Sequence, residues 1–154
     1  MARQQDRECS LNATDEPTAV RLSEDDLAAV VDALVGNVFR HTPPTTPFAV
    51  EVRRTAQTVV LTVDDAGPGI EAPHRAVARG QSATSTGLGL DIAHRAAITS
   101  QGRLHVEQSP MGGARVRIEM PLCAQVSKRR RMRVRQRRSE LWRWYGSRRT
   151  KAPL

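Results

Sequence analysis

The apolar residues Leu27, Val30, Val31, Leu34, Val35 and Val38 recur with three- and four-residue spacing, which draws one hydrophobic stripe along a helix. Ser23 with Asp26 three residues later predicts its start, because a hydroxyl caps free amides and carboxylates suit the amino end. His41-Thr42-Pro43-Pro44 predicts its stop, since proline has no amide hydrogen and disfavours helical geometry in the residue before it. The period then changes. Phe48–Val52 and Thr58–Val63 are short β-branched runs separated by the polar Arg53–Gln57, the pattern of an antiparallel hairpin. Asp64-Asp65-Ala66-Gly67-Pro68-Gly69-Ile70 breaks the second run.

No period is convincing over residues 71–86, which predicts a mobile loop with at most a helical turn around Arg75–Ala78. Gly87-Leu88-Gly89-Leu90 leads into a second helix over Asp91–Ser100, with Leu90, Ala93, Ala97 and Ile98 as its apolar face and Gly102 as its end. Leu104–Glu107 and Ala114–Met120 predict two further strands, joined by a turn over Ser109–Gly113 and closed by Pro121. The expected fold is α+β: a two-layer sandwich with helices on one face of a mixed, mostly antiparallel sheet. Residues 1–20 are polar and aperiodic and are expected to be a disordered linker or remnant, residues 21–122 the domain, and residues 123–154 a disordered tail.

Charge sharpens that division. The chain carries 24 Lys plus Arg and 16 Asp plus Glu, a net +8. Twelve of those basic residues and only Glu140 among the acids lie from Cys123 onward, so the remainder is slightly acidic. The run Lys128–Arg138, followed by Trp142, Trp144 and Tyr145, predicts at most weak nonspecific contact with nucleic acid or an anionic membrane. No apolar run approaches the roughly 18 residues of a membrane span, and the first ten residues hold charges in place of a signal peptide's apolar stretch. Cys9 and Cys123 form no CxxC or Cys/His cluster, which argues against a zinc site and a disulfide framework. A cytoplasmic location is expected.

Three segments invite a chemical reading. Asn37 falls about 90° from the centre of the first helix's stripe, where its amide oxygen could reach an ion in a cleft; it also fits a satisfied boundary amide. In Asp65-Ala66-Gly67-Pro68-Gly69 an acceptor-only carboxylate ends a strand beside backbone that a flat ligand can approach, and an adenine amino group would suit such an acceptor; an ordinary turn has the same composition. In Thr86-Gly87-Leu88-Gly89-Leu90 the amides of a helix start could attract phosphate oxygens, or the segment is a plain loop before a helix. It matches neither the GxGxxG dinucleotide fingerprint nor the GxxxxGK[ST] phosphate loop.

Taken in order, these segments resemble the GHKL ATPase superfamily, specifically the catalytic and ATP-binding domain of bacterial sensor histidine kinases. Asn37 with His41-Thr42 is similar to the family's N box, Asp65–Ile70 to its first glycine box, Ser85–Leu90 to its second, and Gly112-Gly113 with the strand to Leu122 to its closing segment. Ala33, Ser85 and Ala114 stand where the family usually has Asn or Glu, Gly and Thr. The resemblance implies a Bergerat-type fold binding ATP with Mg²⁺. Asn37 would be the metal ligand and Asp65 the adenine acceptor. Gly67 and Gly69 would shape the base pocket, Gly87, Leu88 and Gly89 would present backbone to the phosphates, and Ile70, Ser85, Thr86 and Leu90 would belong to the same ATP-binding segments. Arg40 and His41 would join Asn37 as catalytic residues facing the phosphates.

A histidine kinase also needs a phosphoacceptor histidine, and His41, His74, His94 and His105 all lie inside or beside the ATP-binding pattern. The expected activity is therefore donation of the ATP γ-phosphoryl to a histidine on another chain or on an upstream helical domain, and through it to a response regulator. The alternatives are a free-standing anti-sigma-factor type serine kinase of the same superfamily, or a degenerate ATP-binding domain acting through protein contacts.

Overall fold

The computed structural model describes residues 7–69 and 87–123. Its elements in chain order are β1 (Cys9–Ala13), α1 (Glu24–His41), β2 (Phe48–Arg54), β3 (Thr58–Asp65), α2 (Gly87–Thr99), β4 (Arg103–Gln108) and β5 (Ala114–Pro121). The strands form one sheet in the order β1-β2-β3-β5-β4, with β1 parallel to β2 and the other neighbours antiparallel. This is the expected α+β architecture, with one correction. Residues 1–20 were expected to hold no element, yet Cys9–Ala13 pairs with Phe48–Val52 as an edge strand. Its five residues alternate weakly, Cys9, Leu11 and Ala13 against Ser10 and Asn12, but they are short, small and largely exposed, and the pairing is supplied by the backbone.

Ser23 caps α1 as expected: its Oγ accepts the amide of Asp26 at 3.0 Å and donates to that residue's carboxylate. At the other end Thr42 turns to extended backbone, and both its amide and its Oγ1 donate to Val38 O. Val30, Leu34, Val35 and Val38 pack with Leu90, Ala93, Ala96 and Ala97 of α2 over Val59, Leu61, Val63, Ile118 and Met120 of the sheet. Ile98, expected on α2's buried face, is 63% exposed, and Ala96 takes that place. The small alanines let α2 sit close without a bulky stripe, which leaves its period ambiguous in the sequence.

Alternation along β3 decides what faces the helices. Val59, Leu61 and Val63 lie in the core, so Asp65 continues that face at the strand end, while Thr62 and Asp64 belong to the other. On that other face Asp64 accepts both Nε and Nη2 of Arg115 at 2.8 and 2.9 Å, and Ser109 Oγ at 2.8 Å. The bidentate bond to Asp64 pushes the Arg115 pKa further up. Among the described residues no helix is long and apolar enough to cross a membrane. The expected turn at Arg75–Ala78 and the basic tail lie outside the described residues.

Candidate functional site

The site is built where the carboxyl end of α1, the end of β3 and the start of α2 meet. Asn37 is half-buried on the flank of the α1 stripe, as its angle predicted. Its amide lies against Gly89 of α2: a Cβ on that glycine would stand 2.4 Å from Nδ2 and 2.6 Å from Oδ1. Gly89 therefore provides the room in which the amide sits, and any side chain would displace it. Oδ1 of Asn37 accepts Nη2 of Arg40 at 3.0 Å, and Arg40 Nε donates back to Gly36 O at 3.2 Å. Arg40 thus lies along the helix toward Asn37. His41 is exposed in the same last turn, and no hydrogen bond or ion pair among the described residues joins it to the cluster.

Asp65 is 8% exposed at the end of β3. Its Oδ1 accepts the amides of Gly67 at 2.8 Å and Ala114 at 3.1 Å. Both donors converge on one oxygen, so the carboxylate is held at a fixed angle while Oδ2 takes no hydrogen bond among the described residues. Glycine is required around it for two different reasons. At Gly67 the reason is space, since a Cβ would meet Thr42 Cγ2 at 2.5 Å. At Gly69 it is backbone, with φ at +81°.

Two contributors were not foreseen as site residues. Gly113, whose amide bonds Asp65 O, passes so close that a Cβ would stand 2.1 Å from Asp65 Oδ1 and 2.5 Å from the Gly67 amide nitrogen. The Gly112-Gly113 doublet was its signal. Arg7 donates to both Oγ1 and O of Thr42, and its guanidinium carbon lies 4.7 Å from the centre of the Phe39 ring. Burial lowers the Arg7 pKa, partly offset by the charge of Asp65. Nothing in the polar segment around it marked that position.

Gly87, Leu88 and Gly89 form the first turn of α2, where amides have no partner within the helix and no acidic residue stands among them. The side chain of Leu90 packs in the core at 8% exposure, on the apolar face expected for α2. Ile70, Ser85 and Thr86 lie outside the described residues. Among the described residues no group of three or more His, Cys, Asp or Glu could hold a metal ion. Asn37 Oδ1 is then a single hard oxygen donor, suited to a cation that arrives with most of its ligands already in place.

The family described as histidine kinase-, DNA gyrase B- and HSP90-like ATPases matches residues 22–124. The sensor protein kinase CarS of Pseudomonas aeruginosa is 46% identical over 70 residues, covering 42% of this chain and 16% of CarS. The sensor histidine kinase CpxA of Escherichia coli is 30% identical over 133 residues, covering 79% of this chain and 28% of CpxA. The chain therefore spans less than a third of the length of either relative. The fold is shared with the catalytic domain of histidine kinase ThkA (TM-score 0.68, 19% identity, 80% of this chain and 84% of that one). It is likewise shared with the mycobacterial sensor histidine kinase MprB (TM-score 0.65, 24% identity, 80% and 87%).

Proposed function

Because the chain belongs to the family of histidine kinase-, DNA gyrase B- and HSP90-like ATPases, we propose that this cluster binds Mg-ATP as the catalytic domain of a sensor histidine kinase. The observation that carries the reading is Asp65: a carboxylate held through Oδ1 by two backbone amides, with Oδ2 left to accept from a ligand, beside glycines that admit a flat ring. Adenine brings an amino group that fits such an acceptor. The amides of the first turn of α2, which have no partner within the helix, and the Arg40 guanidinium suit the phosphates.

Mg²⁺ fits the donor set as an ion carried by the triphosphate, with Asn37 Oδ1 as its protein ligand once Arg40 releases that oxygen. Bound there, it would neutralise charge on the phosphates. The protein's own part is positioning: Asp65 fixes the base, Asn37 and the α2 amides fix the phosphate chain, and Arg40 is left to turn toward the phosphates. The γ-phosphorus would break its bond to the β–γ bridging oxygen and form one to a histidine nitrogen presented by another chain or by an upstream helical domain, with ADP leaving. A response regulator would receive the group from that histidine.

Calorimetric titration of Mg-ATP into the full chain and into Asp65→Asn tests this. Binding by the wild type that falls at least tenfold in the variant supports the pocket; a folded wild type that takes up no Mg-ATP overturns the reading.

A further inference from the structure

The parallel pairing of β1 carries the segment before it to the Asp65 end of the sheet: Cys9 is opposite Phe48, which is in turn opposite Asp65. The Phe48 amide also donates to Glu8 O at 3.0 Å, tying down the residue before β1. Arg7 follows from that placement. It is 7% exposed, which is rare for an arginine unless its donors are used. Two of them go to Thr42, one to the hydroxyl and one to the carbonyl that α1 leaves open, and the guanidinium plane rests over Phe39. Phe39 is braced edge-on by Phe48, with ring centroids 5.7 Å apart.

A helix cap alone would explain the bonds to Thr42. It does not explain what Thr42 does next: its methyl carbon is the nearest atom to the open side of Gly67, and Gly67 donates the amide that fixes Asp65 Oδ1. Burial lowers the Arg7 pKa, and the charge of Asp65 partly offsets it across this junction. We propose that Arg7 is a positioning residue that determines nucleotide specificity by holding Thr42 against the Asp65–Gly67 turn. The turn thereby presents the carboxylate as an acceptor at a fixed angle, which selects a 6-aminopurine over a 6-oxopurine. The inference rests on the reading of Asp65 as the base acceptor.

The test is calorimetry of Mg-ATP and Mg-GTP with the full chain, Arg7→Ala and Arg7→Lys, alongside urea unfolding of each. Arg7→Ala is expected to lose about tenfold in ATP affinity, the size of one modest interaction, with a much smaller change for GTP. Arg7→Lys keeps the charge but cannot fork onto both oxygens of Thr42, so its ATP-to-GTP ratio should lie between the other two. If Arg7→Ala does not fold, Arg7→Lys carries the test. Variants that unfold earlier yet keep the wild-type ratio would make Arg7 a staple of the fold alone and overturn the proposal. A wild type that binds no Mg-ATP fails the nucleotide reading first, an outcome distinct from binding with an unchanged ratio.

Discussion

The amide of Asn37 lies flat against Gly89, with a would-be Cβ only 2.4 Å from Nδ2. The obstructing group is the far end of a side chain, so Gly89→Ala can be accommodated by swinging the amide away. The helix itself gains a little, since alanine is the better helix former, by less in this first turn than the roughly 0.5–1 kcal/mol of a helix interior. Gly89→Ala should therefore leave stability unchanged or slightly raised while lowering Mg-ATP affinity at least tenfold. Urea unfolding and calorimetry on the same preparation check both halves, and unaltered ATP affinity would remove Asn37 from the site.

Asp64 and Asp65 are adjacent and point to opposite faces, so their amide variants should fail in different ways. Asp64→Asn removes the charge that Arg115 grips at 2.8 and 2.9 Å and should cost about 2 kcal/mol, in the range for charged hydrogen bonds, with Mg-ATP affinity kept. Asp65→Asn can keep its oxygen on the Gly67 and Ala114 amides, which puts an NH2 donor where Oδ2 was. Its unfolding midpoint should move little while ATP binding is lost. A shared phenotype would contradict the division of the two faces.

What the sequence made legible follows from how each feature is held. Six apolar residues at helical spacing, a cap at Ser23 and prolines at 43 and 44 each mark α1 independently, and its bounds are those expected. Asp65, Gly67 and Gly69 were readable because a strand end followed by two glycines is a local pattern. Strand β1 and Arg7 were not, because five small, exposed residues are too short a run for their alternation to stand out, and a buried arginine is defined by distant partners such as Phe39 and Thr42. Gly113 is intermediate: its doublet signalled a turn, but only the fold brings it against Asp65.

The end of α2 shows the same limit and yields a stability prediction. Gly102 was expected to end the helix, yet the left-handed residue is Gln101, with φ at 59°. The amides of Gln101 and Gly102 return to Ile98 O at 2.9 Å and Ala97 O at 2.7 Å, the paired bonds of a Schellman end. Gly102 is instead needed because a Cβ there would stand 2.0 Å from Glu119 O of β5. Gln101→Gly should thus stabilise by about 1 kcal/mol, the cost of a side chain in left-handed backbone. Gly102→Ala should destabilise by more than that, since backbone must move. Paired urea titrations decide it, and an equal response to the two changes would be inconsistent with this geometry.

On the sheet face away from the helices, the hydrogen bond from Arg117 holds the Glu107 carboxyl below the usual glutamate range, with the charges of Arg117, His105 and Arg115 adding to it. A carboxyl whose pKa is lower folded than unfolded contributes stability that is complete above its unfolded value, about 4.3, and disappears as pH falls through the folded value. Glu107 is 44% exposed, so screening keeps the contribution to about 0.5 kcal/mol or less. Glu107→Gln should accordingly lower the unfolding free energy slightly at pH 7 and converge with the wild type as the pH drops below the glutamate range. Raising the salt to 1 M should narrow the gap at pH 7, because exposed pairs are screened. Urea unfolding of both proteins across that pH range measures it, and a gap that widens on acidification would show that Glu107 is not held by Arg117.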